Sequence, residues 1–128
     1  MRRSPVANGW KSGRKKAPEV ITCQLYLITP PQFDPVSFGK TLATVLDAGK
    51  VACVQMRLKD TEDEAILRAA EALQPVCRDR GVMFLLNDRP DLARETGCDG
   101  VHVGQGDMAC AKARGLLGQS AVIGVSCN

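Results

Sequence analysis

Three polar side chains alternate with apolar ones in the stretch VACVQMRLK, residues 51–59. Because side chains alternate along a strand, Gln55, Arg57 and Lys59 share one face, and the apolar residues between them share the other. An amide donor and two cations at one end of a strand suit a polyanion such as phosphate or pyrophosphate, since arginine makes paired hydrogen bonds and lysine supplies charge. The alternative is a solvated edge strand.

Two carboxylates follow later apolar runs. NDRPDLA places Asn87 and Asp88 at the end of one run, and GQGD places Asp107 just after the next. In a barrel, the loops at the carboxyl ends of parallel strands are neighbours. Two carboxylates beside a cationic patch predict a Mg2+ ion that is held by Asp88 and Asp107 and bridges to phosphate oxygens. The alternative is that Asp88 caps the helix that follows it, and both roles are compatible.

Two more polar residues lie on the same side of their strands. Ser126 faces inward at the tip of the last apolar run, where it can hydrogen-bond a ligand. His102 lies between two valines, and we interpret it as a satisfied interior histidine and not as a catalytic base.

The elements that position these residues alternate along the chain. β-rich runs occur at 23–29, 51–59, 82–87, 99–104 and 121–126, with helical patterns between them. Asp34 before Pro35 predicts one helix start, and Thr61 with Glu64 predicts a capping box at the next. This rhythm predicts βα units and a parallel sheet.

A doubly wound sheet and a (β/α)8 barrel both fit that rhythm. Open sheets carry helices on both faces, so their strands are apolar throughout. The polar face of residues 55–59 instead belongs at the inward-facing carboxyl mouth of a barrel. We therefore predict an α/β fold of the (β/α)8 TIM barrel family, of which about the first five strands are present.

Charge divides the chain into two parts. Six of the 17 basic residues precede residue 19 with no acid among them, which leaves 11 basic against 14 acidic residues in the body. We predict a basic, disordered extension over 1–22 and the barrel portion over 23–128. A nucleic-acid contact through the extension is the alternative, but the acidic body and the lack of interleaved aromatics argue against nucleic acid as a partner.

The extension carries no apolar run like that of a secretory signal, and no stretch of the chain is long enough to cross a membrane. The six cysteines contain no C-x-x-C pair, and there is one histidine, so a zinc site is not expected. We expect free thiols and a cytoplasmic location.

The series LYLIT, VQMRLK, FLLNDRPDLA, DGVHVGQGDM and IGVSCN, spanning residues 24–128, resembles the thiamine-phosphate synthase family. The resemblance implies a Mg2+-dependent transferase of thiamine biosynthesis. Its small-molecule substrates are hydroxymethylpyrimidine pyrophosphate and a thiazole phosphate, whose ring nitrogen takes over the methylene carbon as pyrophosphate leaves.

The resemblance also implies roles for individual residues. Asp88 and Asp107 become the magnesium ligands, and the catalytic residues at the pyrophosphate are Arg57, Lys59 and Ser126. The residues implied to bind substrate are Tyr26, Gln55, Arg57, Lys59, Asn87 and Ser126.

Two alternatives stay open. A related thiazole tautomerase is disfavoured by Asn128, which stands where relatives frequently have histidine. A non-catalytic phosphate-binding relic or regulatory homologue would keep anion affinity without turnover. With only five strands, we further expect the chain alone to be poorly stable, catalytically silent and prone to self-association through the exposed edges of its first and last strands.

Overall fold

The computed structural model describes residues 24–104 and 110–126. The predicted extension over 1–22, together with Asp107 and Asn128, lies outside them. Strands and helices alternate as the sequence predicts, although every strand is shorter than its apolar run. The elements are β1 (Leu25–Ile28), α1 (Pro35–Ala48), β2 (Val51–Met56), α2 (Asp63–Arg78), β3 (Met83–Asn87), α3 (Pro90–Thr96), β4 (Gly100–Val103), α4 (Cys110–Leu117) and β5 (Val122–Val125).

The strands form one parallel sheet in the order β1-β2-β3-β4-β5. A doubly wound sheet would reverse its strand order at a switch point, and this sheet does not. Sequential order with right-handed crossovers is the arrangement of a (β/α)8 barrel. The predicted fold class is therefore confirmed.

The sheet is strongly curled. In a flat sheet, β1 and β4 would lie about 14 Å apart, because three strand spacings separate them. The Tyr26 hydroxyl of β1 nevertheless lies 2.8 Å from Nδ1 of His102 on β4. The described part of the chain is thus a half-barrel whose concave face corresponds to a barrel interior.

The apolar core lies between the convex face of the sheet and the helices. Strand residues such as Val54, Phe84 and Val101 pack there against Leu73 of α2 and Leu92 of α3. All five are at most 4% exposed. Residues of the opposite parity are turned to the concave face, which leaves that face available for polar groups.

The two predicted helix starts have different outcomes. At α1 the prediction is confirmed, because Oδ2 of Asp34 accepts a 2.9 Å hydrogen bond from the Ser37 amide. The capping box at α2 is wrong. Glu62 occupies the N-cap without a side-chain hydrogen bond, and the Thr61 hydroxyl donates instead to the Lys59 carbonyl at 2.7 Å. Threonine can bond nearby backbone in this competing way.

Strands β1 and β5 are the outermost strands of the described sheet. Their apolar side chains are exposed, with Leu25 at 52%, Ile28 at 55% and Val125 at 43%. The exposed strand edges expected from the sequence are therefore present. Among the helices of the described ranges, none is both long and apolar enough to span a membrane.

The cysteines of the described ranges are free thiols, as predicted. Burial raises the pKa of Cys53 to about 11 and that of Cys77 to about 12, so both remain protonated near neutral pH. Because the thiolate is the reactive form, we expect iodoacetamide to label exposed Cys110 in the native protein and to spare the two buried thiols. Mass spectrometry with and without denaturant tests this. Native labelling of Cys77 as fast as Cys110 would contradict the packing.

Candidate functional site

The concave face carries a buried amide beside a phenol. Gln55 on β2 is 2% exposed, and its Nε2 donates a 3.2 Å hydrogen bond to the Tyr26 hydroxyl of β1. Partial burial raises the pKa of Tyr26, so the phenol keeps its proton at neutral pH. The structure thus brings together two residues that the sequence proposes for substrate binding.

His102 extends this contact across the half-barrel. Its Nδ1 lies 2.8 Å from the Tyr26 hydroxyl, and its Nε2 lies 2.8 Å from Oγ of Ser126, just beyond β5. Gly124 lies beside His102 in the sheet register, and a Cβ there would overlap the imidazole. The result is a hydrogen-bonded chain of Gln55, Tyr26, His102 and Ser126, which we call the concave polar chain. His102 is hydrogen-bonded as predicted, although it is half-buried and not fully interior.

Arg57 and Lys59 continue beyond β2 at the carboxyl edge of the sheet. Their backbone is held there, because the Arg57 amide donates to Oγ1 of Thr29 at 3.0 Å and the Lys59 amide to the Pro31 carbonyl at 3.1 Å. Both side chains are exposed. Neither forms an ion pair with any residue in the described ranges. Two cationic side chains on an anchored backbone, without carboxylate partners in the described ranges, are suited to bind an anion.

Asn87 and Asp88 lie at the same edge. Asn87 ends β3 beside His102, and its Nδ2 donates to Oδ2 of Asp88 at 3.3 Å. Asp88 adopts a left-handed backbone with φ 62°, and its amide donates to the His102 carbonyl at 2.8 Å. The alternative that Asp88 caps the next helix is wrong, because Arg89 occupies the N-cap of α3. Asp88 is an exposed residue.

Arg89 makes a contact that the sequence did not indicate. It pairs with Asp63 of α2 at 2.7 Å and with Asp91 of α3 at 2.9 Å. Hydrogen bonds to Asp63 and Asp91 raise the pKa of Arg89, and the guanidinium in turn lowers the pKa of each carboxyl. Arg89 thus fixes the loop after Asp88 to two helix starts, whereas Arg57 and Lys59 remain available to a ligand.

We expect Arg89→Met to lower the melting temperature near neutral pH by at most about 5 °C, because the pairs are largely exposed. The two carboxyl pKa values are lower in the folded protein than their ordinary 3.8, so their stabilisation is present above that pH and is lost as the pH falls. The difference in melting temperature between Arg89→Met and the wild type should therefore disappear at acidic pH. Thermal melts test this, with exposed Arg94→Met as the charge-matched control. An equal loss in the control would contradict the account.

One predicted site residue, Asp107, lies outside the described ranges. The other predicted residues lie on the concave face or at its carboxyl edge. The sequence missed the concave polar chain as a unit, although the shared parity of His102, Gly124 and Ser126 was a signal for it. In the described ranges, no group of three or more potential metal ligands is gathered in one place.

The half-barrel, with its polar interior and cationic carboxyl edge, belongs to the class of β/α-barrel proteins with a site at the carboxyl ends of the strands. Comparison with known proteins identifies the family within this class. The thiamine monophosphate synthase family, TMP-TENI, matches residues 25–128, and the chain belongs to it.

Individual relatives agree with this assignment. The chain is 63% identical over 106 residues to the thiamine-phosphate synthase of Rhodospirillum centenum, covering 83% of this chain and 51% of that protein. It is 44% identical over 108 residues to the thiamine-phosphate synthase of Hyphomonas neptunium, covering 80% and 49%. Among solved structures, the thiamine phosphate pyrophosphorylase of Pyrococcus furiosus matches with a TM-score of 0.66 at 26% identity, covering 80% of this chain and 48% of that one. The chain thus spans about half the length of these relatives.

Proposed function

We propose that this chain carries the pyrimidine pyrophosphate site of a thiamine-phosphate synthase. The reaction joins hydroxymethylpyrimidine pyrophosphate to a thiazole phosphate and releases pyrophosphate. The observation that carries the proposal is the pair of exposed cations, Arg57 and Lys59, which lack ion-pair partners in the described ranges beside the concave polar chain. The family membership supplies the reaction.

The chemistry of this reaction suits the residues at the edge. The thiazole nitrogen forms a bond to the pyrimidine methylene carbon as the bond from that carbon to the pyrophosphate oxygen breaks. Negative charge therefore grows on the leaving group, and Arg57 and Lys59 are proposed to neutralise it. Ser126 is proposed to donate a hydrogen bond to the same pyrophosphate. The step needs no strong base, which suits a chain with one histidine.

The pyrimidine is proposed to bind on the concave face. Gln55 and Tyr26 present an amide and a phenol there, held by a 3.2 Å hydrogen bond. Asn87 is proposed to bind substrate beside them, since it lies next to His102 in the sheet. These polar groups can recognise the nitrogen atoms of a heterocycle.

Mg2+ is the cofactor that we propose. The fit rests on Asp88, an exposed carboxylate at the edge near two cations, because Mg2+ in phosphate sites commonly takes one or two carboxylates and substrate oxygens. Asp88, together with Asp107, is proposed to hold the ion. When bound, it would screen the charge of the pyrophosphate. The amide of Asn87 orients the Asp88 carboxylate through its 3.3 Å hydrogen bond.

The setting of this function is also a proposal. The proposed partners are small-molecule substrates, and the proposed location is the cytoplasm. Self-association through the edges of β1 and β5 is proposed from the exposure of Leu25, Ile28 and Val125. Light scattering at several concentrations tests that point, and a concentration-independent monomer mass would contradict it.

Equilibrium dialysis followed by a pyrophosphate assay tests the function. We expect the chain to bind hydroxymethylpyrimidine pyrophosphate when Mg2+ is present. Release of pyrophosphate after addition of thiazole phosphate would show synthase turnover, whereas binding without release fits both a regulatory homologue and the catalytically silent chain that the sequence predicts. A thiazole tautomerase would bind no pyrimidine pyrophosphate and release no pyrophosphate. Failure to bind with Mg2+ present would contradict the proposal.

A further inference from the structure

The hydrogen bonds of the concave polar chain can run in either direction, and the amide orientation of Gln55 favours one of them. The amide Nε2 of Gln55 can only donate, so the Tyr26 oxygen accepts that hydrogen bond. The single hydroxyl proton of Tyr26 then remains for its other neighbour, Nδ1 of His102 at 2.8 Å. With the Tyr26 proton donated there, that nitrogen accepts and carries no proton of its own.

The same reasoning fixes the other end of the chain. A neutral imidazole with an unprotonated Nδ1 carries its proton on Nε2. That N–H points at Oγ of Ser126, 2.8 Å away, and donates to it. The Ser126 hydroxyl proton then has no acceptor within the concave polar chain, so it can be donated to a ligand.

We propose that His102 is a positioning residue, held as the neutral Nε2–H tautomer by Tyr26, and that it turns the Ser126 hydroxyl outward as a donor to a ligand oxyanion. The outward part rests on the proposed function, because the oxyanion is the pyrophosphate of that site. His102 itself touches neither substrate nor metal in this account. Its effect passes through Ser126.

Three further observations support the arrangement of the concave polar chain. Partial burial raises the pKa of Tyr26, so the phenol retains the proton that the chain requires. Gly124 leaves space beside the ring that a Cβ would fill, and this space lets the imidazole lie between Tyr26 and Ser126. The rings of Tyr26 and His102 also pack at 5.7 Å between centroids, which holds the imidazole in place.

The opposite direction is a distinct and measurable state. If the Gln55 amide were turned over, its oxygen would accept from Tyr26, and Nδ1–H of His102 would donate to Tyr26. Nε2 would then accept the Ser126 proton, and no proton would remain for a ligand. The two directions place the histidine proton on different nitrogens.

Nitrogen-15 NMR of the single histidine distinguishes these states in the full chain without any ligand. We expect the Nε2–H tautomer in the wild type, and a mixture of tautomers in Tyr26→Phe because that variant removes the donor to Nδ1. A wild-type Nδ1–H tautomer, or no change in Tyr26→Phe, would overturn the proposal. Circular dichroism on both proteins checks that the fold is retained.

Calorimetric titration with inorganic pyrophosphate and Mg2+ tests the outward donation. Ser126→Ala should weaken binding about tenfold, because a hydrogen bond to a charged group is lost. His102→Phe should weaken it by a similar factor, and the double variant should lose no more than either single variant. His102→Gln, which restores a donor near Ser126, should recover part of the loss. Fully additive losses would overturn the proposal.

The two tests separate this inference from the proposed function. If the protein binds pyrophosphate and His102 is the Nδ1–H tautomer, the proposed direction of the hydrogen bonds in the concave polar chain is wrong. The proposed function is unaffected by that result. The protein could instead show an Nε2–H tautomer that responds to Tyr26→Phe and yet bind no pyrophosphate. That result would support the proposed direction of the hydrogen bonds in the concave polar chain. It would contradict both the proposed function and the outward donation by Ser126.

Discussion

Replacing Arg57 with alanine is expected to weaken Mg2+-dependent binding of pyrimidine pyrophosphate by about 10- to 100-fold. The guanidinium is exposed at the carboxyl edge, with its backbone fixed by Thr29 at 3.0 Å and no ion-pair partner in the described ranges. Hydrogen bonds to a charged group contribute about 1.5–3 kcal/mol, which corresponds to that factor. Calorimetric titration measures the dissociation constant directly.

The matched control is Arg78→Ala. Arg78 is an equally exposed arginine at the end of α2, near the amino ends of the strands, and its loss changes the net charge by the same amount. The control should bind like wild type. Arg57→Lys should retain part of the affinity, because it keeps the charge and loses the paired donors. Equal weakening in the alanine variants at Arg57 and Arg78 would show that net charge, and not this site, governs binding.

Replacing Phe84 with alanine is expected to lower the free energy of unfolding by about 3–5 kcal/mol, because a large buried ring is lost and leaves a cavity. Phe84 is 1% exposed and belongs to the core between the sheet and the helices. Urea unfolding followed by circular dichroism gives the midpoint and the free energy.

Met83→Ala is the control for this substitution. Met83 precedes Phe84 on β3, faces the opposite side and is 38% exposed, so its truncation should cost much less. Phe84→Leu keeps most of the volume and should fall between the two alanine variants. A Phe84→Ala protein as stable as Met83→Ala would contradict the placement of the core on the convex face.

The sequence predicts those features of the fold that depend on local pattern. Polar Gln55 between apolar Val54 and Met56 favours a barrel over an open sheet, because parity along a strand is a local property, although Arg57 lies beyond the end of β2. The N-cap at Asp34 is confirmed for the same reason, since its donor, the Ser37 amide, is three residues away. The Thr61 capping box fails because the hydroxyl has a competing acceptor two residues back, the Lys59 carbonyl, and the pattern does not decide between them.

The site is less predictable where it depends on contacts across the sheet. Tyr26 and His102 are 76 residues apart and meet only because the sheet curls. Arg89 and Asp63 are separated by 26 residues, and their ion pair depends on how α2 and α3 are placed. Asn87, Asp88 and Ser126 could be placed at one edge from strand order alone. Their hydrogen-bond partners required the curvature of the half-barrel.

The most direct test of the account is to map the binding of hydroxymethylpyrimidine pyrophosphate with Mg2+ onto the isotope-labelled chain by NMR. We predict shifts in the backbone amides of Gln55, Arg57, Lys59, Asp88 and Ser126, all at the carboxyl edge or on the concave face. The cleft at the amino ends of the strands, lined by Gln74, Arg78 and Met83, should not respond. Shifts confined to that cleft, or no shifts at saturating ligand, would contradict a pyrimidine pyrophosphate site at the carboxyl edge.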